Sequence, residues 1–457
     1  MPLLSGIVPK IRVAVSAVGA LIFLIPAAPG AASASGAGDH RATTVPPPAS
    51  TRVVPSTGLF ATACVAGSCT AGGNFGGAGR PLEPMVATQV HGRWSRGIPL
   101  LLPTNAAAQP YAQISGLACH SAGNCVAVGD YQYGRSGNPQ AFIAMESHGR
   151  WARAFTPRLP ANAASPASAD LGAVTCTSDG SCEAAGSYQD SGGNVQTMVL
   201  AKPALGPWGQ ATEIASPPNA AANPDAMMTG IACTAQGSCV AVGNYSVSAS
   251  QYAAMGAVEV RGAWHGAAQI ALPRGAVRST FTAINSVSCP TATQCLGVGQ
   301  YAVSATQSRA MAVIESKGRF AGAAPITAVP PGGSVLSSTY LLGVSCRPSG
   351  LCLAVGGGRN SSGHSVAMYM IRSAGHWRAA GRRGRGSCPS CTRCRASASS
   401  AATRSGTTRT GSASPTPRPP PRPDPSGDRD DPGLDQPAIG DIKKPEGSVR
   451  LPSPVGG

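Results

Sequence analysis

A short cysteine loop recurs six times along the chain: Cys64–Cys69, Cys119–Cys125, Cys176–Cys182, Cys233–Cys239, Cys289–Cys295 and Cys346–Cys352. The first cysteines of successive loops are 55, 57, 57, 56 and 57 residues apart. A second landmark keeps the same beat, at Gly92/Trp94, Gly149/Trp151, Gly206/Trp208, Gly262/Trp264, Gly318/Phe320 and Gly375/Trp377. A third is a Gly-x-aromatic after the second cysteine: Gly73/Phe75, Gly129/Tyr131, Gly186/Tyr188, Gly243/Tyr245 and Gly299/Tyr301. The sixth unit departs from it, with Gly356-Gly357-Gly358. Three landmarks on one period describe an array of like units rather than separate globules.

The second unit shows what each repeat folds into. Ile114–Cys119 reads as a strand, and the five residues after Cys119 turn the chain. Cys125–Tyr131 is a second strand with small apolar residues on both faces, as suits a strand buried between two sheets. Ala141–Ser147 is a third strand, and His148-Gly149 makes a two-residue hairpin turn. A fourth strand carries Trp151 and runs toward Pro157, where a free edge tolerates proline. Composition agrees: charged residues are 12% and aromatic residues 5%, while Gly (58) and Pro (41) are abundant. That is the balance of short strands and many turns.

A four-stranded sheet that is apolar on both faces cannot bury them alone. Stacked radially, such sheets do so and leave few exposed edges. The units resemble the disulfide-bearing β-propeller repeats of secreted bacterial proteins, with V-S-C-x5-C-x-A-V-G-x-Y and a later G-x-W, over about residues 58–380. The resemblance implies an all-β propeller of six four-stranded blades, and it identifies fold better than activity. Each cysteine pair lies where the first strand ends and the second begins, so facing positions expect a disulfide in every unit. Metal binding by these pairs would require four ligands gathered in space, and none is expected.

Residues 1–34 read as a secretory signal peptide. Lys10 and Arg12 precede the apolar run Val13–Ile25, and Ala32-Ser33-Ala34 fits a cleavage site. The expected location is extracellular, with no membrane span after cleavage. Residues 35–57 read as an exposed Pro/Thr/Ala linker, and 381–457 as a disordered Arg-, Ser- and Pro-rich tail. Cys388, Cys391 and Cys394 in that tail lack a fourth ligand for a zinc knuckle.

The genetic code offers a sharper reading of the tail. With suitable third bases, the codons for Ser387–Gly411, read one base earlier, spell ELPELHAVSCVSVIRCYAVGDYSDG. This string holds a C-x5-C followed by A-V-G-D-Y, the repeat's own signature. A seven-bladed parent whose last blade was replaced by a frame change is therefore expected. The connection into that blade would be short, since its first cysteine falls about 50 residues after Cys346.

Function is far less legible. The formal charge is +16, but only +6 of it, 17 Lys/Arg against 11 Asp/Glu, falls within residues 58–377. No basic cluster interleaves with aromatics, so nucleic acid is not an expected partner. His91 and His148 share one turn position, and no nucleophile is paired with a base. Glu146, Glu259 and Glu315 share a repeat position that reads as a solvated strand site rather than a glycosidase pair. Secreted sialidases are also propellers, but their S-x-D-x-G-x-x-W box is absent; Ser178-Asp179-Gly180 is a turn inside a cysteine loop. The remaining candidate for ligand binding is a circle of one aromatic per blade: Phe75, Tyr131, Tyr188, Tyr245 and Tyr301, with Asp130 and Asn244 beside it. It suggests a non-enzymatic binding or scaffold protein for an extracellular glycan or protein, without cofactor. A propeller hydrolase acting on glycosides or lactones and an inactive product of a disrupted gene are the alternatives.

Overall fold

The computed structural model describes residues 45–48, 56–77, 80–134, 137–277, 282–327, 336–360 and 362–379. Each repeat forms one antiparallel sheet, giving six in all, with no helix among the described residues. In the second repeat the strands are Gln113–Ser121, Asn124–Tyr133, Asn138–Ser147 and Arg150–Trp151, hydrogen-bonded in that order. The first strands of the six sheets are Ser56–Val65, Gln113–Ser121, Ala169–Cys176, Met227–Ala235, Ala283–Thr291 and Ser338–Cys346. Each of the first five packs beside the first strand of the next sheet, so these strands lie nearest a common axis. The fold is a six-bladed β-propeller. The signal peptide and tail readings, with Cys388, Cys391 and Cys394, lie outside the described residues.

All six expected disulfides are present, with Cα atoms 4.0–4.1 Å apart. Each closes the hairpin between the first and second strands of its blade. The Gly of the Gly-x-aromatic landmark is explained by the same hairpin. The first strand carries a β-bulge in every blade, for example between Ile114 and Gly116 opposite Gly129. The bulge presses the two backbones together: a Cβ on Gly129 would lie 1.9 Å from the Gln113 carbonyl oxygen, and one on Gly243 1.9 Å from that of Met227. Only glycine fits there.

The hairpin between the third and fourth strands has two consecutive left-handed residues in five blades. They are His91-Gly92, His148-Gly149, Arg261-Gly262, Lys317-Gly318 and Ala374-Gly375, with φ near 50° and then near 80°. This is the twist-matched two-residue turn expected at those positions. The third blade differs. Pro203 and Pro207 flank its Gly206, and neither can donate to the ladder. No tight turn forms there, and the fourth strand begins only at Thr212–Ile214.

Five apolar clusters fill the junctions between consecutive blades. At the second junction, Val126, Val128 and Ile143 of blade two meet Leu171, Val174, Ala184, Tyr188 and Met198 of blade three. Equivalent positions build the other four junctions. Among the described residues no such cluster joins blade six to blade one.

Backbone bonds fasten the outer parts of the blades with the same period. The N–H groups of Ala154, Ala211, Ala267 and Ala323 donate to the carbonyls of Leu101, Arg158, Ala215 and Ala271, each on the connection leaving the preceding blade, at 2.8–2.9 Å. In blade one the matching donor is Gly97 N, and its acceptor is the carbonyl of Pro46 at 2.8 Å. The Pro47 carbonyl accepts from Arg96 Nη1 at 3.3 Å, and Pro48 is buried. This part of the stretch read as an exposed linker therefore lies against blade one, where the other blades receive a preceding connection.

Closing so short a loop removes about 2 kcal/mol of unfolded-state entropy. Replacing Cys233 and Cys239 together with alanine is expected to lower the unfolding free energy by about that amount in urea titrations. A loss below a few tenths of a kcal/mol would show that the hairpin is held without its bridge.

Candidate functional site

The circle of aromatics does not line a solvent-facing funnel. Phe75, Tyr131, Tyr188, Tyr245 and Tyr301 are all buried, at 0–5% exposure. Tyr131, Tyr188, Tyr245 and Tyr301 lie within the inter-blade clusters, and Tyr131 meets Phe142 edge-on at 6.5 Å. The hydroxyls of three of them donate to asparagines on the connection entering the blade. Tyr131, Tyr188 and Tyr245 reach Asn105, Asn162 and Asn219 Oδ1, each at 2.8 Å. Tyr188 also donates to Glu213 Oε2 at 2.6 Å, and burial with that bond raises its pKa. The side chains thus tie connections to sheets. Of the polar neighbours, Asp130 is buried and accepts from Gln113 Nε2 at 3.3 Å, and Asn244 is half-buried. The Pro-x-Asn of the connections (Pro103/Asn105, Pro160/Asn162, Pro217/Asn219) is a further repeat in the sequence. It would have signalled these bonds.

The glutamates are placed differently from their sequence reading. Glu146, Glu259 and Glu315 are 5–7% exposed, not solvated. Each stands on the third strand beneath the turn to its aromatic, opposite Trp151, Trp264 or Phe320, and burial raises the pKa of all three. Glu315 Oε1 accepts from Gly318 N at 2.7 Å. One oxygen each of Glu146 and Glu259 is buried with no hydrogen-bond partner among the described residues.

Sequence reasoning missed Glu183. It directly follows Cys182, where other blades carry Thr70, Val126, Val240, Leu296 and Leu353. That position faces the next blade. Glu183 is 5% exposed and hydrogen-bonds Glu259 across the third junction, with the Trp264 side chain as a further partner. Burial first, then the charge of Glu259 and the bond between the two, push its pKa up to about 8. Burial thus pushes both carboxyls of the pair upward. Glu183 also lies within 4.8 Å of the sulfurs of Cys233 and Cys239. Those sulfurs are bonded to each other and offer no thiolate to a metal. A small depression over this junction, lined by Thr177, Ser181, Lys202 and Gln236 among others, has room for about one water molecule. Beside it Asp179 accepts from the hydroxyl of Thr177 and the backbone N–H of Ser181, which hold its pKa at about 2. This is the ordered turn expected of Ser178-Asp179-Gly180.

A larger concavity lies at the rim of blades two and three. It is a groove of about 270 Å³ lined by Phe155, Thr156, Pro157, Arg158, Pro207, Trp208 and Gly209. It sits beside the third-blade turn described above, where Trp208 precedes the paired residues Thr212–Ile214 and the Gly209 N–H donates to the Ala201 carbonyl at 2.9 Å. The indole is half-buried against the second junction, and its N–H is shielded without a partner among the described residues. Phe155 is 38% exposed, and the Arg158 side chain is exposed.

No protein-family model matches the chain, and no curated protein does either. Among solved structures, the chain is similar to the Hadza microbial sialidase Hz136, at 11% identity and a TM-score of 0.42 over 65% of this chain and 62% of that one. It is similar to the Trypanosoma rangeli sialidase at 12% identity and a TM-score of 0.41, over 71% and 56%. A third is AofleA from Arthrobotrys oligospora, at 12% identity and a TM-score of 0.36, over 71% and 88%. The chain spans less than two thirds of the length of these sialidases. Identity this low assigns no chemistry to this chain.

Two outcomes are expected. A folded carboxyl that holds its proton more tightly than the unfolded one favours the folded state at low pH, and this advantage is lost as pH rises from about 4.5 to about 8. Melting temperature should therefore fall across that window, and Glu183→Gln should flatten the fall; an unchanged slope would place the proton elsewhere. Tyr245→Phe leaves Asn219 short of a donor and should lower stability by about 1 kcal/mol in the same urea titration.

Proposed function

We propose that the chain is a secreted, non-enzymatic β-propeller that binds an extracellular glycan, with a protein partner as the second reading. The observation that carries this is the rim groove. Trp208 and Phe155 offer apolar ring surface on which the C–H face of a sugar stacks, and Arg158 adds a donor fork for hydroxyl or carboxylate groups. Export is supported by six disulfides, which persist in oxidising compartments. No helix among the described residues is long and apolar enough to cross a membrane.

The hydrolase alternative has less support. A glycosidase needs its two carboxyls about 5 Å or more apart, flanking the scissile bond. Glu183 and Glu259 hydrogen-bond each other directly inside a blade junction. No glycosidic bond fits between them.

Binding of cell-envelope oligosaccharides to the full chain, followed by tryptophan fluorescence, tests the reading. Trp208→Ala should weaken binding by about 10- to 100-fold while leaving the fold intact by circular dichroism. Equal binding by Trp208→Ala, or turnover of chromogenic glycosides that Glu183→Gln abolishes, would overturn it.

A further inference from the structure

The residue after the second cysteine of a blade meets the disulfide of the blade that follows. In blade one it is Thr70, whose Oγ1 lies 3.7 Å from Cys125 Sγ. In blades two, four and five it is Val126, Val240 and Leu296, which share apolar clusters with Cys176 and Cys182, Cys289 and Cys295, and Cys346 and Cys352. In blade three it is Glu183, whose carboxyl lies within 4.8 Å of both Cys233 and Cys239 Sγ. Of these five positions, this one alone carries an acid. The acid is costly there. Glu183 is 5% exposed, and its hydrogen-bond partners are Glu259 and the Trp264 side chain, neither of them a cation. A buried carboxyl without a cation costs stability where valine or leucine would not. Burial and the facing Glu259 favour its protonated form.

We propose that Cys233–Cys239 is a site of thiol–disulfide exchange with a small thiol, in which Cys233 is the sulfur attacked and Glu183 gives its proton to Cys239. Cys233 is half-buried and lines the depression over the third junction, whereas Cys239 is 2% exposed. Attack therefore comes at Cys233, and Cys239 is the leaving sulfur. The attacking species is the thiolate of the small thiol. Lys202 lines the same depression and places a positive charge on its path. Its Nζ is fixed there by donating to the carbonyls of Gly180, Pro203 and Ala204 at 3.0–3.4 Å. As the new S–S bond to Cys233 forms, the Cys233–Cys239 bond breaks and its electron pair goes to Cys239 Sγ. That sulfur takes the Glu183 proton. The products are a mixed disulfide on Cys233, a thiol at Cys239 and the Glu183 carboxylate, with one negative charge before and after. Without the acid, Cys239 would leave as a bare thiolate inside an apolar junction. Val126 and Val240 hold the same place at Cys176–Cys182 and Cys289–Cys295 and have no proton to give.

Those two bridges also match Cys233–Cys239 in exposure, with Cys176 and Cys289 half-buried and Cys182 and Cys295 3–4% exposed. They are the internal standards of the test. The folded full chain is treated briefly with 2-mercaptoethanol, quenched in acid, alkylated and mapped by mass spectrometry. The adduct should appear on Cys233 with Cys239 free, and this bridge should open about 10-fold or more faster than either standard. Glu183→Gln keeps the shape of the side chain and removes the acid. It should slow the opening of Cys233–Cys239 by about 100-fold and leave the standards unchanged. An adduct on Cys239, or a standard that opens as fast, overturns the proposal. So does Glu183→Gln opening at the native rate. If circular dichroism shows that variant unfolded, the comparison of the three bridges in the native chain decides alone. None of these readouts depends on the groove at Trp208.

Discussion

Every sheet in this molecule is apolar on both faces, and that one constraint governs the rest. The second strand of blade two shows it most plainly: Val126 and Val128 turn to one neighbour, Ala127 and Tyr131 to the other. With small residues on the strands, sheets approach closely, and their burial supplies the driving force for stacking. A blade removed from the stack would expose both faces at once. Local devices then fix each blade: a disulfide at one end of the first hairpin, and at the other a bulge that glycine alone permits.

The connections are as much a part of the stack as the strands. A tyrosine buried in one junction reaches an asparagine on the incoming connection, and a backbone N–H near the outer edge reaches the connection before it. Blades two, three and four are thus held to their predecessors at the core, at the end of the second strand and at the rim. These bonds leave the conspicuous aromatics no free surface. The groove on which the proposed binding rests lies instead where the repeat breaks its own rule, at the proline-flanked turn of blade three.

Much of the fold was legible because its signals are local and repeated. Cysteine spacing gave the hairpins and their bridges, and x-Gly pairs gave five of the six outer turns. The sixth could not be had from Gly206 alone, since Pro203 and Pro207 withhold the donors a tight hairpin needs. The candidate site was hardly legible. Gly-x-Tyr resembles a surface motif, but its glycine answers to a backbone contact and its tyrosine to a bond 26 residues earlier in the chain. Glu146, Glu259 and Glu315 looked solvated because glutamate usually is, and nothing in the string tells which way a strand residue faces once a second sheet arrives. Glu183 meets Glu259 across 76 positions, and only stacking brings them together.

The Pro46 carbonyl occupies the place that a preceding connection fills in every other described blade with a matching donor. A unit of this kind asks its predecessor for a single acceptor at the rim, and an unrelated segment can supply it. At the rim, then, the contact is between backbone groups alone, and it is indifferent to the side chains of the segment that supplies the acceptor.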